Sequence, residues 1–274
     1  MIKLIATDID GTLLKEGTDQ INPEMYEVIV KLKQQGVIFA AASGRTYSSL
    51  RRLFDPVAND MIFIAENGAN VICRNYQMDY TLLNRKDAEN LAFYIRKLPG
   101  CCLTASTVGP IYVEDRDPGF LDLLVNGYHN DVRVVEDVLK EEIKLIKMSI
   151  YKEDGVQDIA ESVIREWQDR FRVAVAGDPW IDFMDRKADK GHALQKIQKI
   201  MKIAREETMV FGDNFNDIGM LNAAGESYAV ASAHPEVQKK ARHIAPSCEE
   251  EGVLKVLKEL LMSISAKQEE QQNV

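Results

Sequence analysis

At 274 residues, 46% hydrophobic and 28% charged, the chain has the composition of a globular protein with room for one large core or two smaller ones. A net charge of −9 argues against nucleic acid or anionic membrane as a partner and leaves a local basic pocket for a small anion open. No apolar run approaches the roughly 18–20 residues of a membrane span. The amino terminus, with one lysine and a very short apolar segment, does not read as a signal peptide. Cys73, Cys101, Cys102 and Cys248 show no CxxC spacing, so the expectation is free thiols in a cytoplasmic protein.

The first elements alternate strand and helix. Residues 3–7 form a short apolar strand, and Asn22-Pro23 then supplies a helix cap with proline at the first helical position. Met25, Val28, Ile29 and Leu32 make one helical stripe that stops at Gly36. A strand over 37–42, a short helix over 47–54 and a strand over 61–65 follow, the grammar of a parallel sheet with crossover helices. Between residues 83 and 186 the texture changes. A helix over 87–97 precedes β runs at 101–105 and 111–114 around the turn VGP, and a helix over 120–128 comes next. A β-rich run over 143–151, a helix over 157–170 and a hairpin (171–176, 180–184) complete a segment that reads as an antiparallel sheet with helices on one face. The parallel grammar then returns. A helix from Lys190 leads to a buried strand over 208–212, a helix over 217–224, a strand over 228–231, a helix from Pro235, a strand over 243–245 and a closing helix over 253–262. The polar tail AKQEEQQNV is expected to be disordered. The fold class expected is α/β, a Rossmann-like parallel-sheet core (1–82 and 187–274) interrupted by an α+β cap domain (83–186), with hinges near 82–84 and 185–188.

Chemistry enters at DIDGT. Asp8 and Asp10 sit just past the first strand, where open α/β sheets bind ligands. Two carboxylates so close together repel unless a cation or hydrogen-bond donors compensate them. Gly11 permits a tight turn, and Thr12 offers a hydroxyl and an amide to an anion. An isolated DxD is usually a solvated turn; an apolar strand running straight into DxDGT is a candidate catalytic loop.

DIDGTLL resembles the first motif of the haloacid dehalogenase superfamily, and three further stretches match that superfamily in order: ASGR (42–45), ADKG (188–191) and GDNFND (212–217). ENGA (66–69) and the position of the insert resemble the Cof-type phosphatases with a large α/β cap. The resemblance spans nearly the whole chain. It implies a phosphatase that hydrolyses a small phosphorylated metabolite, a sugar phosphate or a phosphorylated cofactor such as FMN or pyridoxal phosphate, through an aspartyl-phosphate on Asp8. Asp10 would act as general acid and base. Mg²⁺ would be the cofactor, held by the Asp8 carboxylate, the Asp10 carbonyl and the Asp213 carboxylate, with Asp217 in support. Thr12, Ser43, Gly44, Lys190 and Asn216 would bind phosphate. Arg45 would either join them or form an ion pair.

The residues themselves fit phosphoryl transfer, which is mostly positioning and charge neutralisation. Two alternatives share these parts. A phosphomutase would pass the phosphoryl group to a sugar, and a receiver-like signalling module would keep it on aspartate. His129, His192, His234 and His243 lack metal-ligand spacing and read as structural. Residues 229–237 (AVASAHPEV) depart from the glycine- and asparagine-richer stretch of many relatives. Loops at 107–110, 115–119 and 177–179 are expected to touch substrate. No membrane, no nucleic acid and a monomeric state complete the expectations.

Overall fold

The computed structural model describes residues 1–15 and 18–272, without the side chains of 267–272. Its first strand, β1 (Leu4–Thr7), is buried along its whole length, as the centre of a parallel sheet with both faces covered requires. α1 (Pro23–Gln34) begins at Asn22, whose side chain accepts from the Glu24 N–H, and it buries the stripe Met25, Val28, Ile29 and Leu32. β2 (Ile38–Ala42), α2 (Tyr47–Leu53) and β3 (Ile62–Ala65) continue the alternation.

The chain then makes a hairpin that the sequence reading lacks, β4 (Asn70–Cys73) and β5 (Tyr76–Tyr80). Its turn residues, Arg74 and Asn75, have φ of 50° and 66°, the left-handed pair that matches the twist of a two-residue hairpin loop. β5 is an edge strand with little buried surface, so no apolar run announced it.

A second sheet is built from β6 (Cys101–Thr107), β7 (Ile111–Val113), β8 (Val132–Val134), β9 (Leu145–Lys152), β10 (Arg172–Val175) and β11 (Trp180–Met184). The helices α3 (Arg85–Ile95), α4 (Pro118–Asp122) and α5 (Gln157–Trp167) join its strands. Strand order is β10-β11-β9-β6-β7-β8, antiparallel except that β8 runs parallel to β7. That one parallel pair arises because the connection passes through α4 and a following π-type turn at Leu123–Gly127, a crossover instead of a tight loop. Leu91, Ile95, Val163 and Trp167 from α3 and α5 cover one face, against Leu103, Met148, Ile150, Ile181 and Phe183.

The chain returns to the first sheet through α6 (Lys190–Met201), β12 (Thr208–Gly212), α7 (Ile218–Ala223), β13 (Glu226–Val230), α8 (Pro235–Gln238) and β14 (His243–Ala245). α9 (Gly252–Gln272) closes the fold. The helix runs well past residue 262, because Ala, Lys, Glu and Gln are good helix formers and a polar tail need not be coil. Residues 273 and 274 of that tail lie outside the described residues. The first sheet has the order β14-β13-β12-β1-β2-β3-β4-β5, parallel from β14 to β3. Because β1 connects onward to β2 while its other neighbour, β12, connects onward to β13, the connections from this adjacent pair run in opposite directions and open a crevice at their carboxyl ends.

Candidate active site

The crevice gathers four segments. Asp8 directly follows β1, Ser43 to Arg45 follow β2, Asp213 to Asp217 follow β12, and Lys190 opens α6. Gly11 has φ +87°, and a Cβ there would stand 2.5 Å from an Asp213 carboxylate oxygen, so only glycine lets the two loops meet. Gly191 meets Gly219 in the same way: a Cβ would lie 2.3 Å from backbone, and its absence lets α6 and α7 cross close beneath the site.

Asp8 and Lys190 are buried, and Lys190 Nζ donates to Asp8 Oδ1 at 2.5 Å and to Asp217 Oδ1 at 2.7 Å. Asp217 also accepts the backbone N–H groups of Asp213 and Asn214, both at 3.1 Å. Asp213 accepts the Thr12 hydroxyl at 2.8 Å. Burial and the neighbouring Asp217 carboxylate push the Asp8 carboxyl well above its ordinary range, against the pull of Lys190. Burial raises Asp213 as well. Burial alone would lower Lys190, but the charges of Asp217 and Asp8 outweigh it and hold the ammonium above its usual value.

Oxygens of Asp8, Asp213 and Asp217 all lie within 4.8 Å of one another. Lys190 touches two of these three carboxyls, and with all three ionised two negative charges would stand uncompensated. An all-oxygen set with that deficit suits a hard divalent cation such as Mg²⁺.

Several expected phosphate contacts have other partners. The Thr12 hydroxyl is spent on Asp213, and its N–H donates to Ile9 O at 3.3 Å, so Thr12 supports a carboxylate and is not free for phosphate. Lys190 is enclosed between Asp8 and Asp217 and does not line the cavity. Arg45 forms the ion pair that was one of its two readings. Nε donates to Asp10 Oδ2 at 3.0 Å and Nη2 to Asp10 Oδ1 at 2.7 Å, while Nη1 reaches Asp19 at 2.6 Å. Ser43 and Gly44 do line the cavity, with Ser43 Oγ 3.4 Å from Asp10 Oδ2. Asn216 lines it too; its Nδ2 donates to Asn67 Oδ1 at 3.0 Å, and its buried Oδ1 has no partner among the described residues. In the stretch 229–237, the His234 N–H donates to Asp213 O at 3.3 Å and its ring packs on Phe215, so this departure borders the site.

The second sheet roofs a cavity of about 740 Å³ that also contains Asp8, Asp10 and Asp213, a size suited to a small ligand. The roof is a sheet face, with Thr104, Ser106, Lys147, Ser149, Arg172, Trp180 and Asp182 lining it, and loops 107–110 and 115–119 do not contribute. Of the third expected loop, Gly177 lines it. Sequence reading missed Lys147, which sits on β9 between two carboxylates. Its Nζ lies 2.6 Å from Glu66 Oε2 on the first-sheet side, an ionic contact more than a well-directed hydrogen bond, and 3.2 Å from Asp182. It also reaches Gly44 O at 3.4 Å. Burial pushes Glu66 up against the pull of Lys147. Burial would lower Lys147, but Asp182 and Glu66 hold it above its usual value. Glu66 and Asn67 adopt left-handed φ of 51° and 52°, backbone strain that delivers these side chains to the seam. Further seam contacts are Thr46 Oγ1 to Asn130 Oδ1 at 2.6 Å and Arg172 to Asp189 at 2.9 Å. The signal was period-two polarity in LIKMSIYK, where Lys147 and Ser149 alternate with buried Met148 and Ile150.

The family profile described as haloacid dehalogenase-like hydrolase matches residues 5–257. The chain belongs to the haloacid dehalogenase-like hydrolases. It is 28% identical over 261 residues to the 5-amino-6-(5-phospho-D-ribitylamino)uracil phosphatase YbjI of Escherichia coli, covering 95% of this chain and 96% of that one. It is 24% identical over 257 residues to YcsE of Bacillus subtilis, a phosphatase of the same description, covering 94% and 95%. A crystal structure from Eubacterium rectale is similar at a TM-score of 0.85 and 34% identity, covering 94% of this chain and 99% of that one. The subclass IIB sugar phosphatase BT4131 shares the fold at a TM-score of 0.75 and 22% identity, covering 94% and 98%. This hydrolase thus carries the parallel-sheet core and roofing cap of its superfamily. No helix among its described residues is long and apolar enough to cross a membrane.

Proposed function

We propose that this hydrolase is a Mg²⁺-dependent phosphatase that releases phosphate from a small phosphorylated metabolite through a covalent intermediate on Asp8. The observation that carries the reading is the cluster of buried Asp8 and Asp217, paired with the Lys190 ammonium, and half-buried Asp213 beside them, at the floor of a roofed cavity. Relatives described as phosphatases of a phosphoribityl compound support a small ester as substrate. Asp8 and Asp213, with the Asp10 carbonyl, would hold the cation, and Asp217 would back them through Lys190 and two backbone N–H groups. When bound, Mg²⁺ would neutralise charge on the phosphoryl oxygens.

The chain's own residues supply the remainder. An Asp8 oxygen attacks phosphorus as the ester P–O bond breaks, and Asp10 gives its proton to the departing alcohol oxygen. Asp10 then takes a proton from water as that water attacks the acyl phosphate, returning Asp8 to a carboxylate. Arg45 grips both Asp10 oxygens, so it orients the acid and must loosen at the proton-transfer step. Ser43, Gly44 and Asn216 line the space where the phosphoryl oxygens would sit. The roof excludes bulk water and polymers. Free cysteines fit a cytoplasmic home.

The test is phosphate release from a panel of sugar phosphates, nucleotides, FMN, pyridoxal phosphate and p-nitrophenyl phosphate, with Mg²⁺ or EDTA. Turnover that both EDTA and Asp8→Asn abolish supports the reading; a folded protein with Mg²⁺ that turns over none of them overturns it.

A further inference from the structure

We infer that Arg172, on an edge strand of the roof, is a positioning residue for the reaction: it fixes Asp189, the N-cap of α6, and through it the Lys190 ammonium against Asp8. The inference rests on the phosphatase reading and adds to it a roof residue that acts through the core.

β10 is an edge strand of the roofing sheet, and Arg172 at its start pairs with Met184 of β11. Met184 ends that strand, and residues 185–188 carry the chain across to the start of α6. Arg172 spans this link as a strut. Its Nη1 donates to Ala188 O at 2.8 Å and to Asp189 Oδ2 at 2.9 Å. The two side chains are 27% and 24% exposed, so solvent screens the contact only in part.

Asp189 has little room to move. Its Oδ1 accepts the His192 N–H at 3.0 Å, so one carboxylate oxygen caps α6 while the other meets Arg172. A Cβ on Gly68 would stand 2.5 Å from Asp189 O, and one on Gly219 would stand 2.6 Å from Asp189 Oδ1. Asp189 is thus wedged between the ENGA loop and α7. Lys190 follows it directly, with Nζ on Asp8 Oδ1 and Asp217 Oδ1. A shift of Asp189 therefore moves the backbone that carries the ammonium, and the strut makes the position of the roof felt at Asp8. Arg172 also lines the cavity, so a direct grip on substrate is the competing role. The two roles part in kinetics. Lys190 is enclosed between carboxylates and does not line the cavity, so its displacement disturbs the nucleophile and lowers kcat. A lost ground-state grip on substrate raises KM instead.

The experiment is a double-mutant cycle on kcat for p-nitrophenyl phosphate with Mg²⁺, using Arg172→Met, Asp189→Asn and the two combined. Asparagine still caps α6 through its amide oxygen and removes the carboxylate that Arg172 meets. Arg172→Met should lower kcat about 10–100-fold, the scale of a misplacement of up to ~1 Å, with KM close to the parent's. Asp189→Asn should lower kcat similarly, and the double variant should lose no more than the weaker of the two single ones. Arg172→Lys should retain most of kcat, because one ammonium can serve both acceptors that Nη1 serves. Losses that multiply in the double variant, a loss confined to KM, an unchanged kcat in Arg172→Met, or a lysine variant as impaired as the methionine one would each overturn the inference. Calorimetry on every variant identifies a loss that is only unfolding, and Arg172→Gln replaces Arg172→Met in the cycle if the latter does not fold. The parent separates the two failures. An active parent with any overturning result removes this inference alone; a parent inert on every ester removes the phosphatase reading and this inference with it.

Discussion

Lys147→Met tests whether the roof is held shut by charge. In the closed form Lys147 is the counter-ion of two buried carboxylates, Glu66 at 2.6 Å and Asp182 at 3.2 Å. Methionine keeps most of the volume and removes the charge. Asp182 would keep the Ser149 hydroxyl at 2.7 Å, but both carboxylates would lose their only ammonium among the described residues. Breaking a buried pair by deleting one partner costs about 3–5 kcal/mol. The roof is a separate sheet, and opening about the expected hinges near residues 82–84 and 185–188 would relieve that cost by rehydrating the carboxylates. The loss should therefore fall on the closed, reactive state. We expect kcat/KM for a small ester to drop about 10²- to 10³-fold, since ~1.4 kcal/mol is a factor of ten, while the thermal midpoint moves by only a few degrees. Steady-state kinetics and calorimetry on the same preparation read both. A kcat/KM within threefold of the parent, or a loss of activity matched by global unfolding, would refute the reasoning.

Other outcomes follow from the same geometry. In metal-free protein the raised Asp8 carboxyl favours the folded state below its ordinary value of 3.8 and loses that advantage as pH rises through its folded value. The raised Lys190 contributes constantly below its ordinary value of 10.5, so the share of the metal-free thermal midpoint that belongs to Asp8, read as the difference between parent and Asp8→Asn, should fall as pH climbs from acid to neutral. Mg²⁺ should stabilise the parent more at pH 7 than at pH 5. Arg45→Ala removes a two-pronged grip on Asp10 and should lower kcat about 10–100-fold, as hydrogen bonds to charged groups are worth ~1.5–3 kcal/mol; pre-steady-state kinetics would locate the loss in proton-transfer steps. Thr12→Val frees Asp213 from its hydroxyl partner and should weaken Mg²⁺ about 10–100-fold by titration calorimetry, with little change in fold.

The core was legible because its signals are local. Strands such as residues 208–212 are apolar without alternation, and Asn22-Pro23 and Gly36 bracket α1 as written. Asp8, Asp10, Asp213 and Lys190 announced themselves by position after strands or at a helix start. Their partners did not, because a hydrogen bond spanning 201 residues, Thr12 to Asp213, leaves no trace in either neighbourhood. The same holds for Lys147, which reads as one polar residue on a half-buried strand until the ENGA loop brings Glu66 beneath it. The hairpin β4–β5 escaped because an exposed edge strand needs no apolar face, and the tail helix because a polar composition suits a solvated helix as well as a disordered chain. Loop tips were expected to meet substrate, yet a face of the sheet lines most of the cavity, left open because α3 and α5 pack against its other side while α4 covers only the end at Tyr151 and Trp180.

Acid-quenched peptide mapping during turnover with Mg²⁺ tests the central claim most directly. The account predicts a phosphoryl group on the peptide that carries Asp8, labile to base, absent with EDTA and absent in Asp8→Asn. A turning-over enzyme whose Asp8 peptide stays unmodified, or whose phosphoryl group sits on another residue, would contradict it.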